Sequence, residues 1–282
     1  VATTDAQAPT LAEVVALLRQ RDPAGAVKLA EQAALTAPVR ETLIGVAMLM
    51  DQRALEARPH LESAVALDPE SDASWLYLAL AHYQLGELQQ AHDALAKAGA
   101  AVDAVDAARL LSARLDWLTG DAAGAVATLE EWTELPGAPW PVWRELALIF
   151  ADLGLPRGVV AVLERHPNAP TQDVSAILHN LSERVGPWHL IPVLDTVCAA
   201  WPQWHEPHLA RAQALAAAGQ HAAAARALDR LQGGDYAYEA ADQHRLAGNF
   251  GSALRRNDRA RAHPEATAQR FAILFEMSRC NA

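Results

Sequence analysis

Side chains able to do chemistry are thinly spread along these 282 residues. Histidine, at 11 copies, is the most frequent candidate. His205 and His208 lie three apart at the start of an expected helix and so share a face, with His189 or His221 as neighbours that would complete a metal site. The spacing specifies no third ligand and there is no His-Glu-x-x-His frame, so the preferred reading is exposed surface and no metal is expected. His179 with Glu183, and Arg144 with Asp152, can be written as catalytic dyads. Both have helical spacing and read better as contacts along one helix face. Cys198 and Cys280 leave two readings open, a disulfide in an exported protein or two free thiols; their spacing fits no metal motif. No Gly-rich phosphate loop, nucleophile elbow or paired-cysteine motif occurs. The expectation is a protein without catalytic residues or cofactors, and not an enzyme.

Composition points the same way. The chain is 51% hydrophobic and 6% aromatic, with Ala-rich and Leu-rich stretches and singly spaced glycines, which is helical composition. A formal net charge of -11 disfavours nucleic acid, whose binding rests on Lys and Arg. The only lysines are Lys28 and Lys97, and the cluster Arg255, Arg256, Arg259 and Arg261 reads as a solvated helix face. No apolar run reaches the length of a membrane span.

What positions these residues is a repeat. From Pro38 a 34-residue register places Ala57, Ala91 and Ala125 at one position, Leu61, Leu95 and Leu129 at a second, and Gly86, Gly120 and Gly154 at a third. Each unit reads as two amphipathic helices joined at the glycine. In the clearest unit, Asp72 to Val105, Trp75, Leu78 and Ala79 mark the first helix and Ala91, Leu95 and Ala98 the second. The small residues let the backbones approach while Leu78 and Leu95 fill the seam.

This pattern resembles the tetratricopeptide repeat family. Gly45, Ala57, Leu61, Ala64 and Pro69 carry it in the unit from Pro38; Trp143, Leu146, Ala147, Phe150, Gly154 and Leu163 in the unit from Trp140; and Ala212, Leu215, Gly219, Ala224 and Leu228 in the unit from His205. The resemblance implies an all-α fold, an α-solenoid of stacked antiparallel helix pairs forming a right-handed superhelix of about seven to eight repeats. The expected organisation is one solenoid over 1–282: a degenerate first repeat over 1–37, regular repeats over 38–170, a degenerate repeat over 171–204, repeats over 205–262 and a capping helix over 263–282. The degenerate unit keeps Leu178, Leu194 and Pro202, with its turn rewritten as Val185-Gly186-Pro187-Trp188, and the segment from Asp235 keeps Gly248, Phe250 and Ala253. The tract from Trp132 to Trp143, rich in proline, reads as an ordered turn between repeats in preference to a hinge.

The resemblance also implies where a partner would sit. The family binds extended peptides or helices on the inner wall made by the first helices. Its groove positions fall here on Leu76, Leu80, Tyr83 and Gln84, then on Leu110, Arg114, Trp117 and Leu118, then on Arg144, Leu148 and Asp152. This strip is apolar and aromatic with arginines beside it, so the expected partner is a protein or peptide with an apolar segment and an acidic group. The alternative is that Tyr83 and Trp117 turn inward to patch imperfect repeats. The Lys/Asn/Arg clamp with which some family members hold chaperone tails is missing.

Two further readings concern context. The Trp188, Trp201 and Trp204 tract, or the end repeats, could serve self-assembly into a homo-oligomer. The segment His244 to Asn257, followed by Gln269 to Glu276, resembles the C-terminal part of repeat proteins that accompany bacterial envelope energy-transducing systems, which implies a periplasmic accessory of a transport complex. The opening Val1-Ala-Thr-Thr, without Met, suits a mature exported protein or a trimmed one. High Ala, Leu and Arg with scarce Lys suggest a GC-rich bacterial genome.

Overall fold

A computed structural model describes residues 9–99, 106–231 and 236–280. The unit boundary expected at Val105, the segment start at Asp235 and the opening of the chain lie outside the described residues. Among the described residues there are seventeen helices and no strand. The chain forms two compact units, Val1–Pro136 and Gly137–Ala282, divided within the proline-rich tract.

Unit 1 holds four pairs: α1 (Leu11–Arg19) with α2 (Pro23–Gln32), α3 (Ala37–Met50) with α4 (Ala54–Leu67), α5 (Asp72–Gln84) with α6 (Leu88–Lys97), and α7 (Asp106–Thr119) with α8 (Ala122–Thr133). Each helix packs on the one before and the one after it. The seam is decided by complementary volumes. At Gly45 an added Cβ would lie 2.5 Å from Leu61 Cγ, so only glycine admits this approach of α3 to α4. One and two repeats later the same two positions hold Ala79 with Leu95 and Ala113 with Leu129, all buried. In the first pair the fully buried contributions are Val14 from α1 and Ala30 from α2.

Several turns between successive helices use a left-handed residue, which Gly86, Gly120, Gly154, Gly219 and Gly248 supply with φ of 77, 98, 66, 74 and 76°, whereas the turn from α11 to α12 keeps Val185 and Gly186 at negative φ. Arg21 and Gln52 occupy that conformation without being glycine, each at φ 59°. Asp22 and Asp121 then cap the following helices, accepting from the backbone N–H of Gly25 and Gly124 at 2.9 Å in both cases. Between neighbouring pairs, the buried Ser74 is satisfied by Thr42 Oγ1 at 2.8 Å and Ser71 Oγ at 2.7 Å.

Unit 2 contains α9 (Trp140–Asp152), α10 (Pro156–Arg165), α11 (Thr171–Arg184), α12 (Pro187–Ala200), α13 (His205–Ala217), α14 (His221–Arg230), α15 (Ala237–Leu246), α16 (Phe250–Arg259) and α17 (Ala266–Cys280). From α12 onward each helix packs on the next, as in unit 1. Around α11 the order changes: α11 packs chiefly on α9, α12 chiefly on α10 and α13, and α11 and α12 touch only sparsely. The seam positions explain this. Ala147 with Leu163 and Ala212 with Leu228 keep the small-with-large rule, whereas α11 and α12 bring Leu178 and Leu194, two large residues. Val174, Ile177 and Leu181 are the fully buried residues of α11, and Leu178 is left half-buried.

The stretches His244 to Asn257 and Gln269 to Glu276 are used for packing. Asn257 Nδ2 donates to the Ala266 carbonyl and to Gln269 Oε1, both at 2.8 Å, and Gln269 Nε2 donates to the Tyr238 carbonyl at 3.0 Å. Those buried amides pin α17 to α15 and α16. His244, also buried, meets Asp229 Oδ2 at 3.0 Å, and Asp229 Oδ1 lies 2.6 Å from Arg256 Nε.

Candidate functional site

The expected groove positions of unit 1 lie on α5 and α7. Leu76, Leu80 and Tyr83 are half-buried and pack against the cluster that includes Leu78, Leu95, Leu111 and Leu115. Each therefore has one side against the core and the other open to solvent. Gln84 is exposed; Leu110, Arg114 and Trp117 are half-buried; Leu118 is 47% exposed. The strip is apolar because the first helices have three classes of position: buried seam residues such as Leu78 and Ala79, solvated residues such as Ala73, and half-covered ones between.

The remaining positions belong to unit 2, on α9, where the polar side chains are already engaged. Arg144 Nε lies 2.9 Å from Asp173 Oδ1, an ion pair whose angle falls short of a hydrogen bond. Asp173 Oδ2 also accepts from Trp140 Nε1 at 2.8 Å. Asp152 Oδ1 accepts from Asn180 Nδ2 at 3.0 Å. Arg144 and Asp152 thus both tie α9 to α11, and neither is paired to the other as their helical spacing suggested. Leu148 is half-buried between them.

Unit 2 also has an apolar cleft that repeat counting does not reveal. Its volume is about 480 Å³, and Leu178, Pro187, Leu190, Leu194, Trp204, Pro207, Ala210 and Ala214 make most of its walls. Ser175, His179 and Ser182 line it from α11. The cleft lies where α11 and α12 fail to close on each other. The signal in the sequence was Leu178 at a position that is Gly or Ala in the other regular units.

The histidines do not assemble. His205 and His208 line a separate cavity of about 490 Å³ with Asp195, Cys198, Arg211 and Arg230. His189 Nε2 accepts from Trp188 Nε1 at 3.1 Å, and His221 Nδ1 lies 2.9 Å from Gln243 Oε1. Among the described residues no group of three or more His, Cys, Asp or Glu is placed to hold a metal ion. His179 and Glu183 sit 3.7 Å apart on an exposed face of α11, the helical contact expected. Both thiols are free; burial pushes the Cys198 thiol up to about 11, so it stays protonated and unreactive near neutral pH. No helix among the described residues is long and apolar enough to cross a membrane.

Comparison with known proteins follows the same lines. Residues 48–115, from the end of α3 into α7, match the family profile described as tetratricopeptide repeat. A search of curated proteins finds no match. Among solved structures, the chain resembles one in the complex of Naa15/Naa10 bound to HypK-THB, with TM-score 0.51 and 16% identity over 92% of this chain and 42% of the matched one. It also resembles the APC/C hetero-tetramer Cut9-Hcn1, with TM-score 0.46 and 14% identity over 93% of this chain and 48% of that one. A tetratricopeptide repeat protein from Parabacteroides merdae ATCC 43184 gives TM-score 0.45 and 11% identity over 94% and 97% of the two chains. This chain spans less than half of the matched chains in the first two complexes. Identities this low speak to fold alone.

Proposed function

We take as premise that residues 48–115 belong to the tetratricopeptide repeat family, within an α-solenoid of helix pairs, and propose that the protein is a non-enzymatic scaffold or adaptor that binds a peptide or partner helix. The observation that carries this reading is the half-buried strip of Leu76, Leu80, Tyr83, Leu110 and Trp117 on first helices. A solvent-facing apolar strip beside a well-closed core has the residue types that anchor interfaces. The matched Naa15/Naa10 structure is itself one with a further protein, HypK-THB, bound. Within unit 2 the corresponding positions of α9 hold Leu148, with Arg144 paired to Asp173 and Asp152 to Asn180.

The test is capture of the native partner, identified by co-purification from the source cells, by wild type and by Tyr83→Ala plus Trp117→Ala. The expected result is loss of capture with little change in circular dichroism or melting. Because Tyr83 also touches the core, Leu118→Asp serves as a second variant at an exposed position. If the double variant unfolds and Leu118→Asp binds normally, the strip is core and the groove assignment fails. The resemblance of 244–257 supports the finer proposal that the partner belongs to an envelope transport complex, which fractionation of the source cells checks. A second reading, self-assembly, is favoured by α17, where Phe271 is 70% and Phe275 63% exposed. A concentration-dependent mass in solution, abolished by Phe275→Asp, would support it.

A further inference from the structure

The apolar cleft of unit 2 extends the scaffold reading, on which this inference rests, to a second contact with its own chemistry. Three observations define its occupant. The cleft lies between α11, α12 and α13, where α11 and α12 pack only sparsely on each other and Leu178 and Leu194 are among its walls. Its volume of about 480 Å³ is in the range of sites that enclose a small ligand or a few side chains. Its charge is one-sided: no Lys or Arg lines it, while Glu206 at the head of α13 is exposed and makes no ion pair among the described residues.

We propose that this cleft binds a polypeptide partner segment that inserts a bulky apolar side chain, Leu, Met or Phe, with a Lys or Arg beside it to meet Glu206. The walls supply burial, and Ser175, Ser182 and Gln213 offer hydrogen bonds to the segment's backbone at the edges. The recognition is opposite in charge to the acidic group expected beside the arginines of the first helices, so the two sites would read different parts of a partner.

The experiment is selection of random short peptides displayed on phage against the immobilised full-length protein, followed by fluorescence anisotropy with labelled synthetic peptides from the enriched pool. The expected pool has one bulky apolar residue flanked by Lys or Arg. Ala210→Trp, which fills the cleft from α13, should weaken binding roughly tenfold or more. Glu206→Lys, at an exposed position that should not disturb folding, should turn the flanking preference from basic to acidic, and this variant decides the matter if Ala210→Trp does not fold. Peptides indifferent to both variants, an acidic preference in the wild type, or no enrichment would each overturn the proposal. So would a cleft that takes only an apolar dye, or self-association lost in Ala210→Trp, which would name a second copy as the occupant. Peptides that lose binding with Leu118→Asp but not with Glu206→Lys would refute the cleft while leaving the scaffold reading intact.

Discussion

Gly45→Ala tests the volume rule on which the repeat packing rests. Replacing a helical glycine by alanine normally stabilises by about 1 kcal/mol, because it removes backbone entropy from the unfolded chain. Here the new methyl would lie 2.5 Å from Leu61 Cγ and 2.7 Å from its Cδ2. Leu61 is fully buried and cannot swing into solvent, so relief requires α3 and α4 to part. Overpacking of this kind costs about 1–3 kcal/mol, and the immobility of Leu61 puts the expectation at about 2–3, for a net loss of about 1–2 kcal/mol. In a Leu61→Ala background, which alone costs about 2–5 kcal/mol, the clash disappears and the same substitution should stabilise by about 1 kcal/mol. The coupling in the double-mutant cycle is then about 2–3 kcal/mol. Urea midpoints followed by circular dichroism, with hydrogen exchange in α3 and α4 to confirm that the same region reports, give the four stabilities. Equal effects of Gly45→Ala in both backgrounds, or stabilisation in the wild type, would refute the claim that small-with-large complementarity sets the helix spacing.

Three further outcomes follow from other features. Gln52→Gly should stabilise by about 0.5–1 kcal/mol, since Gln52 holds φ 59° in the turn between α3 and α4 and a non-glycine pays about 1–2 kcal/mol for that conformation, part of which glycine returns as unfolded-state entropy; thermal melting reads it. Cys280 should react quickly with an aromatic disulfide reagent at pH of about 8 while Cys198 reacts only on unfolding, because a thiol raised to about 11 by burial presents about a hundredth of the thiolate of an ordinary one; equal rates would sink this. His166, packed against Trp140 and Trp143 with ring centroids 5.4 and 4.8 Å away, is lowered by burial first and by the charge of Arg165 second. The unfolded chain then takes up this proton more readily, so the histidine's contribution to stability is full above its unfolded value of about 6.5 and is lost as pH falls through that value toward the folded one. A proton NMR titration placing His166 at or above 6.5 would contradict it.

The helix pairs were legible because the repeat is written in residues that recur at fixed spacing: the leucines at 61, 95 and 129 and the turn glycines at 86, 120 and 154 fall where the structure puts seams and left-handed turns. The first two turns were not legible by the same sign, since Arg21 and Gln52 take the glycine's conformation without its sequence mark. Arg144 and Asp152 looked available because their partners, Asp173 and Asn180, come from a helix 28 or more positions away in sequence, and periodicity within one helix carries no information about such neighbours.

Leu178 shows where pattern counting and packing diverge. Counted as an apolar residue at an expected position it supports the repeat, and with Leu194 it matches the unit's pattern. Counted by volume against Leu194 it breaks the rule of the regular seams, which oppose a small residue to a large one. The rewritten turn at Val185 to Trp188 is the same misfit seen along the chain: α11 turns to α9, α12 to α10 and α13, and apolar surface of α11 and α12 becomes the wall of a cleft. A repeat that departs from its pattern by volume while keeping its hydrophobicity is therefore a more specific pointer to a binding surface than one that has lost apolar residues, since the first opens a cavity with intact walls and the second only weakens the stack.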